Sequence, residues 1–303
     1  MAISRAQLMK ELVPGLNALF GLEYNRYPEE HKEIFDTENS ERSFEEETKV
    51  SGFGPAPVKN EGEATQYDEA QEVYTSRYTH ETISIGFSIT EEAFEDNLYD
   101  SLSKRYTKAL ARSMAHTKQV KGAAVLNNAF NTAFVGGDGV ALCSTQHPLV
   151  MGGRFNANTP GTPADLNETS LEAAATSIAL WLDDRGLLIA AKPRKLIIHA
   201  AQVFTATRLL RSQYRPGTAD NDVNALYTNG TIPQGWSVNH WLVDPKAWFI
   251  KTDVPNGLKN FTRVPLQTLN DPDFDTGNLR YKARERYSFG WSDPLGIYGA
   301  QGS

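Results

Sequence analysis

Apolar, aromatic or methyl-bearing residues at Phe94, Leu98, Leu102, Tyr106, Leu110, Met114, Thr117, Val120 and Ala124 recur every three or four positions between Ser88 and Phe130. That stretch holds no proline and a single glycine, Gly122. The period is helical, and one stripe must face something apolar. Ser88 followed by Glu91 fits a capping box, and Glu91, Glu92, Glu95, Asp96 and Asp100 precede Lys104, Arg105, Lys108, Arg112, Lys118 and Lys121, the favourable order for the helix dipole. At about 1.5 Å per residue the predicted rod is roughly 60 Å long, whereas a compact domain of this size spans only about 40 to 50 Å. A helix of that length reads as an architectural element.

Upstream the period changes to two. From Val73 to Ile89 the residues alternate, with Val73, Thr75, Arg77, Thr79, Glu81, Ile83, Ile85 and Phe87 on one side. Ile34 to Val50 is a second strand-like run, and the polar, Gly- and Pro-bearing segment between them reads as a tip. Together they predict a long hairpin with mixed faces that must lie on something, since two strands alone are marginal in water; a disordered acidic loop is the competing reading. Before it, residues 4–12 and Leu16 to Tyr27 predict two short helices broken at Val13-Pro14-Gly15. They either pack on the body or form an arm that docks on a neighbour.

Downstream the pattern is α/β. Ala141 to Asn158 predicts a short strand and loops, Asn167 to Asp184 a capped helix, Leu196 to His199 a buried strand leading into a helix over Ala201 to Ser212, and Trp236 to Val243 and Ala247 to Thr252 further strands. Leu258 to Leu269, Leu279 to Trp291 and Gly296 to Tyr298 predict the closing strands.

Composition adds bounds to this picture. The 303 residues, 40% apolar and 22% charged, allow a substantial core in one large or two smaller domains. No run of about 18 apolar residues exists, and the N-terminus lacks the pattern of a secretion signal. The one cysteine, Cys143, excludes an intrachain disulfide. Of the net charge of −7, residues 29–72 contribute −10, from 14 acidic and 4 basic residues, which leaves the rest of the chain near +3. Acidic charge on a projecting hairpin limits edge-to-edge aggregation.

Candidate chemistry is sparse. Cys143 and His147 stand four apart outside any helix, a spacing that does not set up a nucleophilic pair without an orienting group. Asp183-Asp184 and the alternate Asp271, Asp273 and Asp275 could meet a hard cation, but the glycine and terminal glutamate of a calcium loop are missing. Gly136-Gly137-Asp138-Gly139 is followed by no GK[ST], and the six histidines show no metal-ligand spacing. These residues assign no catalytic group, no cofactor and no metal.

The order of elements is the more specific signal: a short arm, an acidic hairpin, one very long helix, an α/β region and returning strands. With the segments DGVALCSTQHPLVMGGRFNAN (138–158), PRKLIIHAAQVFTATRLLRS (193–212), DPKAWFIKTDVPNGLKNFTRVPL (244–266) and FDTGNLRYKARERYSFGWSDPLGIYG (274–299), the chain resembles the major capsid proteins of tailed bacteriophages, with the α+β Hong Kong 97-type fold, close to Mu-like heads. The resemblance implies an N-terminal arm over 1–33, an extended loop over 34–87, a peripheral domain with its spine helix over 88–135, an axial domain over 136–255 and peripheral strands over 256–303. It implies self-assembly into hexamers and pentamers of an icosahedral virion shell in the host bacterial cytoplasm, around DNA held without sequence specificity. It also implies no membrane partner, a portal protein at one vertex, room for a decoration protein and, because Met1 lies close to the arm, a separate scaffolding protein. On this reading Lys104, Lys108 and Arg112 face DNA, and Leu16, Phe20, Phe53, Tyr67 and Tyr74 reach neighbouring subunits. An encapsulin-like cellular compartment shell is the alternative with the same fold. An enzyme would need Cys143, His147 and an acid converging within about 3 Å.

Overall fold

The computed structural model describes residues 5–90, 92, 99–150, 152–215, 222–273 and 277–303. Its N-terminal helix α1 (Arg5–Tyr24) is one element where two were expected, and it runs through Pro14. Proline in a helix interior removes one hydrogen-bond donor and its ring crowds the carbonyl four residues back, a cost offset by the packing of Leu16 and Phe20 on the body. A 3-10 turn at Glu30–Glu33 leads to strands β1 (Asp36–Asn39), β2 (Phe44–Val50), β3 (Glu72–Thr79) and β4 (Glu81–Ile89). Helix α2 (Tyr99–Asn127) follows. Next come short strands β5 (His147–Pro148) and β6 (Phe155–Asn156), α3 (Glu168–Ala179), β7 (Pro193–Ile198), α4 (Val203–Arg211) and α5 (Ala225–Thr228). Strands β8 (Trp236–Val238), β9 (Trp248–Thr252), β10 (Leu258–Pro272), β11 (Leu279–Trp291) and β12 (Ile297–Ala300) complete the chain.

Two four-stranded sheets organise these elements, in the orders β1-β10-β11-β4 and β12-β9-β7-β8. The alternating run from Val73 to Ile89 is two strands, split at His80. Its first half pairs with β2 as the hairpin, and its second half joins β11 over nine residue pairs. Ser88 is therefore not a helix cap but a β4 residue opposite Arg280. Glu91, Phe94, Glu95, Asp96 and Leu98 lie outside the described residues. The described spine has 29 residues, about 43 Å.

The spine's buried stripe is also rotated from the sequence expectation. Ser103, Thr107, Leu110, Ala111, Met114, Ala115, Gln119, Gly122, Ala123 and Leu126 are buried, while Tyr106 and Val120 are exposed. Small residues win the inner face because the 3-10 turn and β11 approach closely there: a Cβ on Gly122 would sit 3.2 Å from His31 Cβ and 3.5 Å from Phe289. Helix α3 begins with Asn167 capping Ser170, and its expected extension to Asp184 is a turn bridged at Leu182 and Leu188.

Three cores result. Leu16, Phe20, Leu110, Met114, Tyr281 and Ala283 join α1, α2 and the first sheet. Leu171, Ile178, Leu196, Ile198, Ala206, Trp248 and Ile250 bind α3 and α4 to the second sheet. Ile34, Phe35, Leu126, Leu142, Ile197, Phe249, Leu258 and Ile297 fill the junction between the sheets. Strand β7 sends Leu196 and Ile198 to one core and Ile197 to the other, which is why it reads as a continuous apolar run. Strand β12, grouped by sequence with the strands of the first sheet, instead pairs with β9 in the second.

Candidate assembly surfaces

The β2–β3 hairpin is rooted on its own subunit. Alternation turns Tyr74, Ser76 and Tyr78 toward the body. The Tyr78 hydroxyl lies 2.5 Å from Ser292 Oγ, and the Tyr74 hydroxyl donates to the Ser292 carbonyl at 3.1 Å. Both rings settle on glycine: a Cβ on Gly290 would come within 2.8 Å of Tyr78, and one on Gly137 within 2.6 Å of Tyr74. Burial pushes both phenols well above their ordinary range.

Ions fasten the same root. Lys49 Nζ stands 2.9 Å from Asp293 and 3.4 Å from Asp184. Burial opposes its charge, but the two carboxylates outweigh burial and hold the ammonium above its usual value. Asp184 moves upward because burial exceeds the help from Lys49. Lys259, almost fully buried, contacts Glu47 and Glu38, and Glu47 also accepts from Ser292. Farther out, both carboxylate oxygens of Asp68 accept from Arg185 at 2.9 Å, and the Gly54 N–H donates to it at 2.7 Å. Beyond that clasp the tip is open: Phe53 is 60%, Val58 90% and Tyr67 95% exposed.

On the spine, Lys104, Lys108 and Arg112 are exposed at a spacing of four, hence on one face. Lys108 and Arg112 line an open groove of about 470 Å³ with Glu23, Tyr27 and His116. Lys118 and Lys121 turn the other way, to Glu285 at 3.3 Å and Glu81 at 2.6 Å.

Among the proposed intersubunit residues the structure divides the set. Phe53 and Tyr67 are open on the tip, whereas Leu16 and Phe20 are each 3% exposed within their own subunit's core. Their apolar surface is already spent on α2 and β11, which corrects the expectation that they reach a neighbour. Tyr74 is likewise taken by Ser292 and Gly137 of its own chain.

The candidate chemical groups disperse. His147 Nδ1 meets Asp138 Oδ2 at 2.6 Å and its Nε2 faces Asn158 Oδ1 at 3.1 Å. Asn158 in turn donates to the carbonyls of Leu142, Pro294 and Ile297. An acid does converge with His147, but no hydrogen bond joins Cys143 to it among the described residues; the thiol is buried and pushed well above its ordinary range by burial. The group ties three loops together. Asp273 pairs with Arg280, Asp275 lies outside the described residues, and among the described residues no three acids, histidines or cysteines gather as a metal site. No helix among the described residues is long and apolar enough to cross a membrane. The Lys259 and Lys49 clusters escaped sequence reading because each joins residues more than a hundred positions apart.

A family model described as phage capsid protein matches residues 72–300. No curated protein matches the sequence. Among solved structures, a virus-like particle from Pyrococcus furiosus is similar at a TM-score of 0.57 and 11% identity, covering 96% of this chain and 100% of that one. The capsid of Myoviridae phage XM1 gives 0.53 at 10% identity and 89% of each chain, and Mycobacterium phage Adephagia 0.51 at 11% identity and 91% of each.

Proposed function

Because the chain belongs to the phage capsid protein family and has the Hong Kong 97-type capsid fold, we propose that it builds the hexamers and pentamers of an icosahedral phage head around double-stranded DNA. The observation that carries this reading is the hairpin. Its root is held by ions and tyrosines of its own subunit, while its tip leaves Phe53, Val58 and Tyr67 in solvent. A segment that buries so little within one subunit gains its stability on another, and a closed shell repeats each modest contact many times.

In this reading residues 1–33 form the arm, 34–87 the extended loop, 88–135 the spine region, 136–255 the axial domain and 256–303 the returning strands, with β12 contributing to the axial sheet. The exposed Lys104, Lys108 and Arg112 face DNA through phosphate contact alone, without sequence readout. A scaffolding protein, a portal and a decoration protein are the partners such a head would use, and the host cytoplasm the place of assembly. The test is electron microscopy of the purified chain and of a variant lacking Gly52 to Gln71. The intact chain forms shells; the deletion keeps its circular dichroism spectrum and forms none. Normal particles from the deletion would overturn the reading.

The likeness to the virus-like particle, which this chain covers completely, favours a second reading as a compartment shell. The contents of particles purified from cells separate the two, since one holds nucleic acid and the other a protein cargo.

A further inference from the structure

The hydrogen bonds around His147 fix where its protons are. Asn158 Nδ2 donates to the carbonyls of Leu142, Pro294 and Ile297 at 2.7, 2.9 and 3.2 Å, and its Oδ1 accepts from the Ser144 N–H at 2.8 Å. Four backbone groups thus hold the amide in one orientation. His147 Nε2, 3.1 Å from that same Oδ1, faces an atom that can only accept, so Nε2 carries a hydrogen. A neutral imidazole then has none on Nδ1. Yet Nδ1 lies 2.6 Å from Asp138 Oδ2, and a bare ring nitrogen against a carboxylate oxygen would set two acceptors at hydrogen-bond distance. Both side chains are almost fully buried, so solvent does not relieve the contact. One further proton is required there.

The surroundings of Asp138 say which atom holds it. Its Oδ1 accepts from the Val140 N–H at 3.2 Å, a bond that favours the carboxylate, and no other cation pairs with it among the described residues. The groups facing the pair favour positive charge on the ring. Strand β3 brings Tyr74, whose phenol burial keeps protonated, and that phenol stands in the field of Asp293 and Asp184 as well as Asp138. Lys49 of β2 is already shared between Asp184 and Asp293. Cys143, between the two, stays a thiol because it is buried.

We propose that Asp138 and His147 form a buried proton site, in which the ring keeps both hydrogens at and above neutral pH, as an imidazolium against the carboxylate. The site serves the hairpin root. Asp138 belongs to the turn where the Tyr74 ring settles on Gly137, and through Asn158 the ring is tied to the connection into β12. Loss of the proton sets lone pair against lone pair and loosens that seat.

The substitution Asp138→Asn tests the site, because the amide supplies the missing hydrogen itself. Its Nδ2 donates to a neutral Nδ1 while its Oδ1 keeps the Val140 N–H, so the variant needs no extra proton. In the wild type the folded chain holds one proton more than the unfolded chain, whose ordinary imidazole titrates near 6.5. Stability from the pair is therefore complete below that value and is lost as pH rises. Urea denaturation of both full-length chains between about pH 6 and pH 9 is expected to show the wild-type folding constant falling relative to the variant's, by up to about tenfold per pH unit. A ratio that stays constant overturns the proposal. If Asp138→Asn does not fold, nitrogen NMR of the histidine-labelled wild-type chain decides alone. At about pH 8 one ring is expected to keep both hydrogens, where an ordinary exposed imidazole keeps one. Six rings with one hydrogen each overturn the proposal.

Discussion

His31 is 1% exposed, and neither of its ring nitrogens meets a hydrogen-bond partner. The ring stands edge-on to Phe289 at 5.7 Å, with the His31 Cβ against Gly122. Burial, followed by the Lys118 ammonium, lowers its pKa to about 4, against the partial opposition of the nearby Glu29 and Gln119. The unfolded chain, with an ordinary imidazole near 6.5, then binds a proton that the folded chain refuses between those values. Stability is complete above about pH 6.5 and falls as pH drops toward 4, by about 3 kcal/mol at most. Urea midpoints of the wild type and of His31→Leu, compared at pH 7 and pH 4.5, should show the acid loss shrinking in the variant. Equal acid losses would remove His31 from the explanation. The sequence shows a histidine at position 31; its neutral state follows from Phe289 and Lys118, which arrive from distant elements.

At the scale of elements the hairpin root sets the behaviour. Lys259 lies 5% exposed between Glu47 and Glu38. Lys259→Met leaves two facing carboxylates without their cation and is expected to cost about 3 kcal/mol by urea denaturation, and adding Glu47→Gln should recover part of it. An unchanged midpoint would show that the tyrosines alone hold the root. The tip behaves in the opposite way. Lys59 is exposed between Val58 and Asn60, so trypsin should nick the free subunit there first and leave two fragments that stay associated, while assembled shells resist. The hairpin was legible as alternation, and the break at His80 was not. The period of two runs unbroken through it, and only pairing assigns one half to β2 and the other to β11. The spine was legible as a period too, but its face was not, because small residues at 111, 115 and 122 define a stripe by permitting approach rather than by being large.

For the whole molecule, the decisive point is where the two sheets meet. The connections into β10 and into β12 cross at Gly257 and Gly296, and a Cβ on Gly257 would come within 2.8 Å of Gly296 Cα. Gly257→Val therefore separates the sheets or loosens the junction core of Phe35, Leu142 and Phe249, and calorimetry should show a lower or divided transition. A single unshifted transition would mean that the crossing tolerates a side chain. By itself the sequence determined the kinds of element, their order, the acidic hairpin, the exposed spine cations and the family resemblance, since these depend on period, composition and succession. Only the tertiary structure decided that Leu16 and Phe20 stay in their own core, that β12 leaves its neighbours for the second sheet, and that Lys259 sits between Glu47 and Glu38. Those outcomes depend on surfaces brought together from far along the chain, where local period carries no information about the partner.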